Sequence, residues 1–361
     1  MNKKYVLIAA LFLVFSAGAV LPGCGGGGGG GGSSSPSAQV PGSSCSQNTV
    51  AYAAGTGPND IAVATDGSIW VADVGTNIQL NNAVTKITPS TCLAETYIAG
   101  NGPDSIAIDS SGNVWAADWG NGTTPGDTVT ELNPAGDLIG TYAVGEGPRS
   151  IAIDSSGNVW VADWGIATAS GSNGDTVTEL SPAGDLIGTY AVGDGPDAIA
   201  IDSSGNVWVA AFYANKVYEL TPASGSSPTP FVVHSYPAGN GASNKTNPDA
   251  IAVAPDGNVW VANWGSGTTP GDTVTELSPG NGIVLGTYTV GDGPDAIAID
   301  SSGNVWVADA ESNDVRELSP TGNLIGTYAV GEGPDAIAID SSGNVWVADW
   351  GSNDVRKIAA G

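Results

Sequence analysis

Gly-Pro-Asp-Ala-Ile-Ala-Ile-Asp at 293–300, Ser-Ser-Gly-Asn-Val-Trp-Val-Ala-Asp at 301–309, Asp-Val-Arg-Glu-Leu at 314–318 and Leu-Ile-Gly-Thr-Tyr-Ala-Val-Gly at 324–331 make up one unit of this chain. Ile-Ala-Ile in the first segment alternates with period two, as does Val-Thr-Glu-Leu in the third segment of sister units, and that is the period of a strand. Gly-Asn and Asp-Gly pairs between the segments are turn signals. The unit predicts four short strands joined by tight turns.

It recurs from Val50 onward, with aligned tryptophans at Trp70, Trp115, Trp160, Trp208, Trp260, Trp306 and Trp346, 40 to 52 residues apart. That period is the length of a four-stranded propeller blade. The prediction is an all-β fold, a seven-bladed β-propeller of four-stranded antiparallel blades, over residues 49–361. Each aligned tryptophan lies mid-strand between apolar neighbours, so its expected role is to pack one blade against the next. The last copy ends at Asp354-Val355-Arg356-Lys357-Ile358, one strand short, while Val50-Ala51-Tyr52-Ala53-Ala54-Gly55 precedes the first copy and matches Gly140-Thr141-Tyr142-Ala143-Val144-Gly145. This N-terminal strand is expected to complete the last blade, since an open seam would leave an aggregation-prone edge.

Fifty-four glycines and 22 prolines among 361 residues argue against long helices. Asp and Glu number 36 against 9 Lys and Arg, a formal net charge of −27. A phosphate backbone is bound by basic residues that release its counterions, so no nucleic-acid partner is expected. Cations, sugars or a basic protein patch suit this surface, and the expected partner is a protein or carbohydrate ligand on one face of a monomeric propeller.

Lys3 and Lys4 precede a mostly apolar run over 5–20, and Leu21-Pro22-Gly23-Cys24 follows. The ending resembles the lipobox of bacterial lipoproteins, although Pro22 stands where that box has Ala or Ser. The resemblance implies a signal peptide at 1–23, lipidation of Cys24 and export to the bacterial envelope; an uncleaved N-terminal anchor helix is the alternative. Gly25 after the cysteine implies the outer membrane, on its periplasmic or surface side. Residues 24–48, with glycine from 25 to 32, read as a flexible tether; about 20 such residues reach about 25 Å. Cys45 and Cys92 then remain, and an oxidising compartment favours a disulfide between them. Cys45 precedes the closing strand and Cys92 the outer strand of blade one, so the bond would pin the closure.

In a propeller, the loops from fourth to first strand and from second to third emerge on one face. The residues directly after the repeat prolines are placed there as ligand-binding candidates: Asp104, Arg149, Asp197, Asp249, Asp295 and Asp335, with Glu146, Asp194, Asp292 and Glu332 nearby. A second set ends the second strands, namely Asp73, Asp118, Asp163, Asn263, Asp309 and Asp349, and reads as backbone acceptors or as ligands. Beside it the repeat loses its regularity. Trp119, Trp164, Trp264 and Trp350 at that register either form an aromatic contact surface or cap their blades' cores. Connections 120–127, 165–175 and 265–272 are expected to wall part of the face. The Asp-Ser-Ser-Gly-Asn turns (109–113 and its copies) fall short of a calcium loop's ligand set, so their aspartates are expected to bond the turn's own backbone.

Gly-Pro-Asp-Ala-Ile-Ala-Ile-Asp, Asp-Gly-Asn-Val-Trp-Val-Ala and Asn-Asp-Val-Arg-Glu-Leu resemble NHL-type and virginiamycin B lyase-like (streptogramin lyase-like) propeller repeats over residues 50–358. That resemblance implies the fold and leaves function open, because its superfamily includes lyases, lactonases, RNA binders and scaffolds. A lyase of this kind implies a histidine base near acidic metal ligands, and His234, the single histidine, falls in a fourth strand at the outer rim. A lactonase-like centre implies calcium or magnesium among acidic and amide side chains around the channel. The aspartates after the prolines qualify, whereas the uniform Ile-Ala-Ile inner strands speak against a centre. The reading is a membrane-tethered binding scaffold with no catalytic residue and no certain cofactor; the alternative is a divalent-metal-dependent lyase or lactonase-type hydrolase.

Overall fold

The computed structural model describes residues 51–75, 82–120, 125–165, 174–222, 231–238, 246–266 and 269–360. Cys24, Cys45 and, within the connections at 120–127 and 165–175, residues 121–124 and 166–173 lie outside the described residues. Seven four-stranded antiparallel sheets occupy 58–98, 103–143, 148–191, 196–237, 248–289, 294–329 and 334–358, here blades one to seven. Blade three is typical, with strands Pro148–Ile153, Val159–Asp163, Thr176–Leu180 and Leu186–Ala191 running outward in chain order.

Blade seven takes its outer strand from the front of the chain: Ala51–Ala53 lies beside Asp354–Ile358, pairing Ala51 with Arg356, Tyr52 with Val355 and Ala53 with Asp354. The expected closure is present. Its paired part is three residues long, shorter than the six-residue sequence match.

Buried apolar clusters lie between blades, not within them. Trp115, Ala117 and Val129 of blade two pack on Ile151, Val159, Val161 and Leu180 of blade three. At the closing junction, Tyr52, Trp346, Ala348 and Val355 meet Ile61, Ile69, Val71 and Ile87 of blade one. All seven repeat tryptophans are at most 8% exposed, which gives them the packing role expected from their position. Burying one removes on the order of 200 Å² from water, at most about 5 kcal/mol of hydrophobic free energy.

Each indole also packs against a tyrosine of its own blade's outer strand, stacked in five blades, as in Trp115 on Tyr142 with centroids 5.2 Å apart, and tilted in blades one and seven. In blade seven the closing strand supplies that tyrosine, and Tyr52 lies 5.5 Å from Trp346. The inner turns behave as expected: Asp154 Oδ1 accepts the backbone N–H groups of Ser156 and Asn158 at 2.8 and 2.9 Å. Its other oxygen takes the Trp160 indole N–H at 3.3 Å, so the turn also fixes the indole.

Because Tyr52 fills the same slot as Tyr142, Tyr52→Ala is expected to destabilise the chain by about 3 kcal/mol in chemical denaturation, as is Tyr142→Ala. A cost below about 1 kcal/mol would show that the closing strand does not carry its junction.

Candidate functional site

The ladder between first and second strands slips by one residue after every repeat proline. Pro148 pairs with Asp163 but the next pair is Ser150 with Ala162, which leaves Arg149 as the extra residue of a β-bulge. The same slip sets apart Asn59, Asp104, Asp197, Asp249, Asp295 and Asp335. A bulge re-aims its side chain, and all seven residues line one cavity of about 270 Å³ at the centre of the ring. The six expected from sequence are therefore together, deeper than the loop face proposed for them. Asp335 is half-buried and the other five are 4–9% exposed. Asn59 belongs to the same ring, and the signal for it was Pro58.

Below the ring lies a second layer, with Asp60, Ser105 and Ser150 on blades one to three and alanines on blades four to seven. Ser105 Oγ donates to Asp60 Oδ2 at 2.6 Å, and that oxygen also accepts the Ile106 N–H at 2.9 Å. Ser150 Oγ accepts the Ile199 N–H at 3.2 Å. With Ser105 Oγ accepting the Ile151 N–H at 3.3 Å, these bonds tie blades one to four in sequence and make one half of the channel polar. Burial pushes the Asp60 carboxyl up even so.

Electrostatics divide the ring. Arg149 donates from Nε to Asp197 Oδ1 at 2.7 Å, places Nη1 3.4 Å from Asp104 Oδ2, and lies 5.3 Å from the centre of the Trp164 ring. Asn59 donates to Asp104 Oδ1 at 3.0 Å. Asp249 is held differently. Burial, with the Asp197 and Asp295 carboxylates beside it, raises its carboxyl well above the usual range, and its buried Oδ1 has no hydrogen-bond partner.

The second candidate set proves to be structural. Asp163 Oδ2 accepts Thr176 and Thr178 hydroxyls at 3.1 and 2.7 Å, and Oδ1 accepts the Gly145 N–H at 3.1 Å. The carboxylate thus pins the chain as it crosses from blade two to blade three. Only glycine fits at the crossing, where a Cβ on Gly145 would lie 2.4 Å from Asp163 Cγ. Partners change together between blades: Asp118 has Thr128 and Thr130, Asn263 has Thr273 and Thr275, and Asp349 has Arg356 at 3.2 Å. Burial dominates these carboxyls, pushing Asp118 and Asp163 to about 6, Asp73 to about 7 and Asp309 to about 8. Asp349 rises with them, with Asp354 adding to burial.

The tryptophan register is corrected in part. Trp164 and Trp264 are 6% and 4% exposed and form a buried cluster with Phe212 and Ala310, so neither offers a free contact face. Each folds over the glycine preceding the next blade's proline: a Cβ on Gly195 would lie 3.4 Å from Trp164, and one on Gly293 3.2 Å from Trp264. Trp119 and Trp350 remain half-buried. Tyr213 is an exposed aromatic that sequence reasoning missed; it is 48% exposed, with its ring 4.9 Å from that of Trp164. In blade five the hairpin lengthens as expected, with Ser266 pairing Thr269.

His234 lies on the exposed outer strand Phe231–Pro237, opposite Glu219. Among the described residues no three His, Cys, Asp or Glu side chains converge to hold a metal ion.

No family model and no curated protein sequence matches the chain. Solved structures do. A streptogramin B lyase superposes with a TM-score of 0.70 at 16% identity, over 86% of this chain and 96% of that one. A catalytically inactive histidine-to-alanine virginiamycin B lyase from Staphylococcus aureus, solved with quinupristin, gives 0.68 at 17%, over 86% and 98%. The WD40 propeller domain of Doa1 gives 0.65 at 14%, over 86% and 94%. At such identities the likeness shows the fold, and for the fold the virginiamycin B lyase-like expectation holds.

Two outcomes follow from the buried charges. The raised aspartates bind protons in the folded chain that the unfolded chain releases near pH 4, so their contribution is complete below that pH and is lost as pH rises through about 6 to 8. Asp66 and Asp340 are lowered and act oppositely, losing their contribution only under stronger acid. Thermal melting is expected at a higher temperature at pH 5 than at pH 8; equal midpoints would mean those carboxyls are not buried as described. Arg149→Met, which removes the guanidinium from between Asp104 and Asp197, is expected to cost about 3 kcal/mol or more in chemical denaturation at pH 8.

Proposed function

We propose that this chain is an exported lipoprotein, anchored to the outer membrane through a lipid on Cys24 and the tether at 24–48, whose propeller is a non-enzymatic binding scaffold. The observation that carries the reading is the ring itself. Seven bulges turn five carboxylates, one amide and one guanidinium into a shared cavity, where they serve no blade-to-blade apolar packing. Exposed Glu146, Asp194, Asp292 and Glu332 surround that mouth, and the net charge of −27 adds a long-range field that draws in cationic or basic partners. Half-buried Trp119 and Trp350 and exposed Tyr213 supply aromatic surface at the rim for a protein or carbohydrate ligand.

A disulfide from Cys45 to Cys92 belongs to the same proposal. Cys92 sits in the turn between Ala83–Thr88 and Leu93–Ile98, at φ +54°, and packs against the cluster that holds Tyr52 and Trp346. A bond there would tie the segment ahead of the closing strand to blade one. The alternative, a divalent-metal lyase or hydrolase, has the shared fold in its favour and lacks both a histidine at the mouth and a metal ligand set among the described residues.

Capture from native envelope extract tests the reading. Replacing Trp119, Tyr213 and Trp350 together with alanine is expected to abolish co-purification of a partner seen with the unaltered chain while a cooperative melt is retained. Undiminished capture by a folded triple variant would show that partners dock elsewhere.

A further inference from the structure

The mouth already contains a bound guanidinium, its own. Arg149 lies between Asp197 and Asp104 at 2.7 and 3.4 Å, beneath Trp164, with its side chain 8% exposed. In blade five the same bulge position is held by Asp249. Asp249 is flanked by Asp197 and Asp295, as Arg149 is by Asp104 and Asp197, and Trp264 covers Gly293 as Trp164 covers Gly195. One charge is reversed in an otherwise repeated setting.

That reversal sets an acidic side chain against Asp197 and Asp295 at the position where blade three has a guanidinium. Asp249 is 6% exposed and lines the cavity, and its buried Oδ1 has no hydrogen-bond partner. Buried carboxylate oxygens are costly until a donor reaches them. Among the residues lining the cavity the one basic side chain is Arg149, already engaged by Asp104 and Asp197. A small metal ion needs several converging oxygens, and among the described residues no three Asp, Glu, His or Cys side chains come together in that way. A guanidinium spreads five donors over a plane and can take two neighbouring carboxyls at once, as Arg149 takes Asp197 and Asp104.

We propose that the side of the mouth formed by Asp249 and Asp295 is a subsite for one external guanidinium group, from a free guanidino compound or from an arginine side chain of a partner. The proposal rests on the binding reading above and gives it a ligand chemistry.

Titration calorimetry on the full chain tests it with agmatine as the free guanidino compound, Gly-Arg-Gly as the peptide source, and Gly-Lys-Gly and calcium chloride as comparisons. One equivalent of agmatine or Gly-Arg-Gly is expected to bind more tightly than either comparison, and the tighter of the two identifies the source. Asp249→Asn and Asp295→Asn, near-isosteric changes whose folding is checked by melting, are each expected to weaken that binding about ten-fold or more. Absence of binding in both guanidinium arms, unchanged affinity in both folded variants, or calcium binding more tightly than either guanidinium probe would overturn the subsite. Partner capture that depends on the mouth, found together with no guanidinium binding, would retain the scaffold reading and remove this site alone. Binding lost in the variants, found together with capture indifferent to the mouth, would do the reverse.

Discussion

Everything at the centre of this molecule depends on the junction where Tyr52 lies on Trp346 and both pack against Ile61, Ile69 and Ile87 of blade one. Adjacent blades share side chains and no ladder, so the first and last blades are held by this packing, by the short chain segment from Ala53 to Pro58 and by the Gly57 N–H on Asn353 Oδ1 at 2.8 Å. Only three ladder pairs join the closing strand to its neighbour, so the tilted Tyr52–Trp346 contact and the apolar cluster carry most of the junction. The other six junctions are variants of the same wedge, with an indole from one blade set among the aliphatic side chains of the next.

Once the ring is closed, the chain must cross from the outside of one blade to the inside of the next, and two local devices govern that crossing. A buried carboxylate on the second strand catches the backbone N–H of the crossing glycine, as Asp163 does for Gly145. The bulge after the proline then turns one side chain to the axis. The first device fixes where the inner strand begins and the second fixes what it presents, so a conserved packing scheme and a variable ring coexist in one repeat. Asymmetry enters at the ring and the layer beneath it: Arg149 on blade three, Asn59 on blade one, and Asp60, Ser105 and Ser150 against alanines on the remaining blades. Chemical individuality sits where it costs the blade-to-blade core nothing.

Burying so many carboxyls is a thermodynamic choice with a direction. Each raised aspartate favours the folded chain under mildly acidic conditions and works against it as the proton leaves. Some blades answer the burial with hydroxyls and others with a guanidinium, as at Thr178 and Arg356 beside Asp163 and Asp349. The position needs a compensating partner, and the repeat has met that need in more than one way.

Blade number, the four-strand unit, the borrowed outer strand and the packing role of the seven tryptophans were legible in the chain itself, because period-two alternation and a fixed repeat are properties of local sequence. Candidate positions were legible too, since a residue after a proline or at the end of a strand can be aligned by eye. Their depth was not. Asp104 and Asp249 sit inside the channel because a one-residue slip against the second strand turns them there, and a ladder register is a relation between strands. Trp164 and Trp264 are buried because a glycine of the following blade leaves a shelf beneath each ring. Whether a side chain at a given register meets water or protein is settled by what the neighbouring blade places against it, and that neighbour is chosen only when the ring closes.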